Sequence, residues 1–359
     1  MKRSPRVCAA GSPLAGPAAR SSRLAGLAAL CMLASAASAQ PEPDVGYTPP
    51  RTPWGDPDLQ GTWPGTATVG VPMQRPERFG IRNWLTDEEL AERQAKFRAQ
   101  SELDPADFDP ERAGETRREA IGGPVSTPPH WLERGELQRQ ASLIVDPPNG
   151  RMPPLTEAAE RRQQQLRRDR EGRGPADSYT DRSLYERCIT RGVAGSILPV
   201  IYNSGNEIVQ APGYVAIRNE MIHETRVIPL DGRPHVSPDI RMWMGDSRGR
   251  WDGDTLVIET RNLTDRTGVG LNGGGPRHSE QLTITERLTR IDEDTIRYEL
   301  TIDDPQTWTR PWTMSFPLKR DDDYGFFEYA CHESNYAMFD ILRDARAEEA
   351  RAARGGPAR

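Results

Sequence analysis

From Ala194 onward, apolar and polar residues alternate with a period of two, the signature of half-buried strands. The clearest case is 295–302, where Ile296, Tyr298, Leu300 and Ile302 share one face and Thr295, Arg297, Glu299 and Thr301 the other. The pattern predicts strands over 196–202, 207–211, 214–219, 221–230, 240–244, 255–262, 281–291, 295–302, 313–318 and 326–331. Their connections carry turn chemistry: Ser204-Gly205-Asn206, Pro212-Gly213, Asp231-Gly232, Asp292-Glu293-Asp294 and Asp321-Asp322-Asp323. In 240–262, Asp252-Gly253 precedes an alternating run and predicts a hairpin. Consecutive strands with short links predict a mainly β, up-and-down antiparallel meander. Closure of that meander into a barrel would remove its edges. A twisted open sheet or a sandwich is the second architecture the pattern allows.

Upstream the period changes. Thr86 with Glu89 forms a capping box for a helix reaching about residue 100, and 156–170 is a charged surface helix. The segment 142–154 is apolar but stopped by prolines, so an edge strand at most. The expected division is a signal peptide over 1–39, a Pro-rich arm with short helices over 40–175, the barrel over 176–342, and a disordered tail over 343–359.

The signal peptide rests on a basic start (Lys2, Arg3, Arg6, Arg20, Arg23), an apolar stretch from Leu24 to Ala34, and Ala37-Ser38-Ala39 as the cleavage site. Cleavage after Ala39 implies a secreted or periplasmic protein with no membrane insertion. It removes five basic residues and no acid, taking the net charge from −6 to −11. So acidic a chain is a poor partner for nucleic acid. Two cysteines remain, Cys188 and Cys331, and an oxidising compartment favours their disulfide over two buried thiols.

Candidate chemistry sits where polar groups interrupt apolar faces. Glu286 falls on the inward series with Leu282, Ile284 and Leu288, either as a buried ion pair or as a site residue. The segment 328–336 packs Glu328, Tyr329, Cys331, His332, Asn335 and Tyr336 together. Glu286, Glu328 and His332 are therefore the candidate acid–base residues. Trp308-Thr309-Arg310-Pro311-Trp312 places aromatic rings about a guanidinium, which suits a carboxylate or a sugar. Candidate ligand contacts are His223, Arg226, Trp243, Arg248, Tyr298, Arg310 and Trp312. His223 and Glu224, read as neighbours in a strand, would point to opposite faces.

Gly245-Asp246-Ser247-Arg248-Gly249 matches G-x-S-x-G, but strand residues follow it where a hydrolase needs a helix, so a polar turn is expected. The histidines, His130, His223, His235, His278 and His332, form no zinc motif, and no metal or cofactor is expected. Gly61-Thr62-Trp63 matches the G-x-W of the first lipocalin strand. Its plain reading is a Trp plugging one end of the fold.

Four stretches, SLIVDPPNGRMPPLT, VIPLDGRPHVSPDIRMWMGDSRGRWDGDTLVIET, ERLTRIDEDTIRYELTIDDPQTWTRPW and EYACHESNYAM, resemble a large family of secreted bacterial proteins. The resemblance brings no substrate or catalytic residues. The meander itself resembles calycin barrels, which include ligand carriers and a few lyases, hydratases and decarboxylases. Together these readings lead to a barrel that binds a small polar or aromatic ligand of the carboxylate or glycoside class. The alternatives are a metal-independent lyase or hydrolase using Glu/His acid–base chemistry, and a structural envelope protein.

Overall fold

Alternation forces one face of each strand into a shared core, and two antiparallel sheets supply it. The computed structural model describes residues 47–103, 132–133, 138–333 and 335–355, all within one compact unit, Ser38–Arg359. The expected signal peptide and His130 lie outside the described residues. In chain order the elements are β1 (Gly61–Thr62), α1 (Asp87–Leu103), β2 (Ile144–Asp146), α2 (Glu157–Arg168), α3 (Gly192–Ile197) and β3 (Asn206–Ala211). There follow β4 (Tyr214–Asn219), β5 (Thr225–Pro229), β6 (Asp246–Asp252), β7 (Thr255–Arg261), β8 (Thr283–Asp292), β9 (Thr295–Asp303), β10 (Trp312–Lys319) and α4 (Tyr336–Ala353). One sheet has the order β1-β3-β4-β5, the other β2-β10-β9-β8-β7-β6.

The expected closed barrel is not found: among the described residues no ladder joins one sheet to the other. Prolines explain both gaps. Pro64 follows β1 and Pro147-Pro148 follow β2, so those edge strands stay two and three residues long. On the far side Pro229 ends β5. There β6 runs so close that a Cβ on Gly249 would lie 2.6 Å from Leu230 Cδ2, and side-chain packing replaces the ladder.

The interior is filled rather than hollow. Leu256, Ile258, Ile284, Leu288, Leu300, Ile302 and Met314 pack against Ile208, Val215, Ile217 and Ile228 of the facing sheet. Trp308 and Trp312 meet edge to face at 5.6 Å. Trp63 plugs one end, its Nε1 donating to Leu59 O at 2.8 Å while Arg290 and Arg320 lie over its ring. The buried Arg75 pins the Pro-rich arm by donating to Pro148 O (2.6 Å) and Asn83 Oδ1 (2.7 Å).

Three expected strands are absent and a fourth is shortened, each for a local reason. In the run 196–202, Ser196 and Ile197 end α3 and 198–202 form no strand; the small residues of α3 pack against the glycine loop 270–274, where a Cβ on Gly195 would stand 2.5 Å from Gly273 N. The region 221–224 is a 3-10 turn in which Ile222 sits at φ 62°, so β5 starts only at Thr225. In 240–244 a single bridge, Met242 to Leu263, is made. The stretch 326–330 carries no strand and returns along loops. The expected disordered tail is instead α4 as far as Ala353. The helix capped by Thr86 is present, with Thr86 N donating to Glu89 Oε2 at 2.8 Å, and α2 starts from Thr156.

Candidate functional site

The G-x-S-x-G match lies not in the expected polar turn but largely inside β6, which the ladder to β7 makes a strand from Asp246, and not on an elbow. Ser247 is opposite Thr260 in the ladder and their hydroxyls bond at 2.8 Å, both buried. Asp246 lies on the other face, where it accepts from His235 Nδ1 (2.9 Å) and Arg248 Nη1 (2.5 Å). Ser247 and His235 therefore have a strand between them. Arg248 spends its other donors on Pro234 O and Ser247 O.

Glu286 occupies the centre of the core, fully buried. Its two oxygens accept from Arg226 Nη1 (2.5 Å) and Nη2 (2.8 Å), and Tyr298 Oη donates to it at 2.7 Å. Arg226 belongs to β5 and Glu286 to β8, so the pair ties the two sheets together. None of these three lines the cavities described below, which corrects their expected placement in a barrel lumen. Glu328 and His332 are exposed. Arg310 is exposed and paired with Asp146 at 2.9 Å, and Trp312 is buried in the core.

A different constellation collects at one end of the four-stranded sheet. A cavity of about 510 Å³ is walled mostly by apolar residues, among them Val71, Leu143, Leu198 and Ile201. Tyr185 and Tyr202 bring its polar groups, their hydroxyls 2.5 Å apart. Behind the Tyr185 ring, 5.8 Å from its centroid, stands the Arg191 guanidinium. Arg191 is 0 % exposed, and none of Nε, Nη1 and Nη2 finds an acceptor among the described residues. The half-buried Glu224 accepts from Arg191 N (3.3 Å) and Ser196 Oγ (3.4 Å) but makes no ion pair with the guanidinium. Tyr329 closes the group, its phenol interacting with Tyr185 and Tyr202.

Electrostatics there follow burial. Desolvation pulls the Arg191 guanidinium below its ordinary value and pushes the Glu224 carboxyl above its own. It raises the Tyr185 phenol too, with the Tyr202 hydroxyl adding to the effect. Burial thus favours the protonated Tyr185 phenol and disfavours ionisation of Glu224.

The surrounding backbone is fixed and strained. Cys188, Asn203, Ile222 and His223 all have positive φ, an uncommon state for residues with a side chain and costliest for β-branched Ile222. The Cys188–Cys331 disulfide links the segment of Tyr185 and Arg191 to that of Tyr329. His223, itself exposed, donates from Nδ1 to Tyr329 O at 2.9 Å. Glu133 and Glu220 accept from the backbone of Asn203, Ser204 and Gly205 and from the Tyr324 hydroxyl, which locks the turn after Tyr202.

The sequence pattern pointed to this neighbourhood through Tyr329, Cys331 and His223, but not to Arg191, Tyr185, Tyr202 or Glu224. Glu224 was set aside by the strand reading, which the turn at Ile222 invalidates. A lone arginine inside the small, apolar run CITRGVAGSILPV was the available signal for Arg191.

A second cavity, of about 710 Å³, lies on the other side of the 182–190 segment and takes in Trp243. Among the described residues no group of three or more His, Cys, Asp or Glu is placed to hold a metal ion, and no helix is long and apolar enough to cross a membrane. Comparison of the chain with protein-family models, curated proteins and solved structures finds no match.

Proposed function

We propose that the protein binds a small molecule with an apolar or aromatic body and a carboxylate head in the cavity walled by Tyr185 and Tyr202, with the buried Arg191 set behind the Tyr185 ring rather than on the cavity wall. The observation that carries this reading is a fully buried guanidinium with no acceptor for any of its nitrogens. Arginine keeps its charge in proteins, and an unpaired buried charge costs several kcal/mol. A carboxylate is the partner whose geometry fits its donor fork. The tyrosine hydroxyls at the cavity wall add donors for the same head, and the apolar lining takes the body. The disulfide supports an oxidising compartment, as the expected secretion would provide.

Native mass spectrometry of protein purified from its own host, with benzoate and decanoate titrated by calorimetry, tests the reading. A carboxylate adduct or titratable binding is expected, weakened at least ten-fold in Arg191→Met. Absence of both, or binding unchanged in Arg191→Met, would refute it.

A second reading, an acid–base lyase or hydrolase, is favoured by one observation: Glu224, which accepts from Arg191 N and Ser196 Oγ, is raised by burial. Under it, Glu224→Gln keeps ligand affinity and abolishes turnover.

A further inference from the structure

The larger cavity has a charge pattern at odds with the rest of this acidic chain of net charge −6. Arg170, Arg187, Arg266 and Arg277 all line it, and none has a carboxylate within ion-pair distance among the described residues. Arg187 lies over the Tyr179 ring instead, 5.0 Å from its centroid. The carboxylates nearby are mostly committed: Asp181 to Arg173 at 2.7 Å, and Glu186 to Arg182. Asp265 alone faces the group uncommitted, so the guanidiniums outnumber it. They also repel one another: Arg170 and Arg266 each oppose the charge on the half-buried Arg277. Clustered like charges cost free energy that a chain with spare acids elsewhere has no structural need to bear.

Between Arg266 and Arg277 the cavity lining is mostly glycine backbone. The loop 268–275 is rich in glycine, and it must be: a Cβ on Gly268 would lie 2.0 Å from Gly274 O. Half-buried Trp243 supplies an aromatic surface in the same cavity. At about 710 Å³ the space suits a small molecule rather than a polymer.

We infer that this cavity is a second binding site, for a small ligand that carries two or more negative charges and a ring or planar body. Arg170, Arg266 and Arg277 take the charged groups, and Trp243 takes the body. The site differs from the tyrosine cluster in kind. There a single buried guanidinium stands behind a phenol of an apolar cavity, whereas here several solvent-reachable guanidiniums share a cavity with a glycine loop. The carboxylate-monoanion reading and this one therefore stand or fall separately.

Calorimetric titration of the full mature protein with citrate, inorganic pyrophosphate and phenyl phosphate tests the inference, with glucose and phenol as uncharged controls. At least one anion is expected to bind, more weakly as salt rises, and the controls not at all. Citrate alone would identify carboxylate ligands, and pyrophosphate or phenyl phosphate alone would identify phosphate esters. Arg266→Gln and Arg277→Gln should each weaken binding by about ten-fold or more, the loss of one charge-assisted hydrogen bond. Trp243→Leu should weaken phenyl phosphate more than pyrophosphate. Arg266 is exposed and makes no hydrogen bond or ion pair among the described residues, so its variant keeps the parent's denaturation midpoint even if Arg277→Gln does not. No binding by any of the three anions, or binding undiminished in Arg266→Gln and Arg170→Gln, would overturn the proposal.

Discussion

Glu286→Ala is the most informative single substitution. It removes the acceptor of two guanidinium donors, at 2.5 and 2.8 Å, and of the Tyr298 hydroxyl at 2.7 Å, in a place no water reaches. Stranding one member of a buried pair costs about 3–5 kcal/mol. Leaving a buried hydroxyl without its acceptor adds about 1–3 kcal/mol. The sum, roughly 4–8 kcal/mol, is comparable to the whole stability of many domains, about 5–15 kcal/mol. The assay is urea denaturation followed by far-UV circular dichroism. With a slope of about 3 kcal/mol per molar, the midpoint should fall by roughly 1–3 M. The triple variant Arg226→Met, Glu286→Leu, Tyr298→Phe should recover most of the loss, because it removes the polar groups together instead of stranding them. A midpoint lowered by less than about 0.3 M in Glu286→Ala would refute the claim that this pair joins the sheets. So would a triple variant as unstable as the single one.

Three further outcomes follow from the same physics. Burial raises Glu224 above its ordinary 4.5, so its contribution is fully present below pH 4.5 and is lost as pH rises through the raised value; Glu224→Gln should therefore gain midpoint over the parent only above pH 4.5. His278 moves the other way. Its Nδ1 donates to Ser279 O and its Nε2 accepts from Thr267, and burial lowers it below 6.5. Its contribution is full above pH 6.5 and lost as pH falls through the lowered value, and His278→Asn should flatten that part of the midpoint–pH curve. Replacing Cys188 and Cys331 by serine opens a loop of 143 residues, worth on the order of 5 kcal/mol by chain entropy; denaturation of this variant against the oxidised parent measures it, and benzoate affinity should fall with it as Tyr329 loosens.

The strands most legible in the sequence were those with strict alternation and an Asp- or Gly-bearing turn. From β7 to β10 the predicted boundaries differ from the observed ones by no more than two residues. Alternation reports a face, and it correctly placed Glu286 inside, but it does not report what covers that face. Arg226 comes from the other sheet, and only the tertiary fold brings it there. Closure was misjudged because strands of two and three residues, each followed by proline, leave almost no periodic trace. The site residues were missed for a related reason. Arg191, Tyr202 and Glu224 lie on a short helix boundary, a loop and a left-handed turn, where no period exists to read.

Strand pairing in this protein ends at Lys319, yet Tyr329 and Cys331 lie beyond it. The scaffold is thus complete before the loop that lays Tyr329 against Tyr185 and Tyr202, and the disulfide fastens that loop on last. Selection or a protein engineer can vary Tyr329 to change how Tyr185 and Tyr202 are held at the cavity while leaving the ladder register untouched.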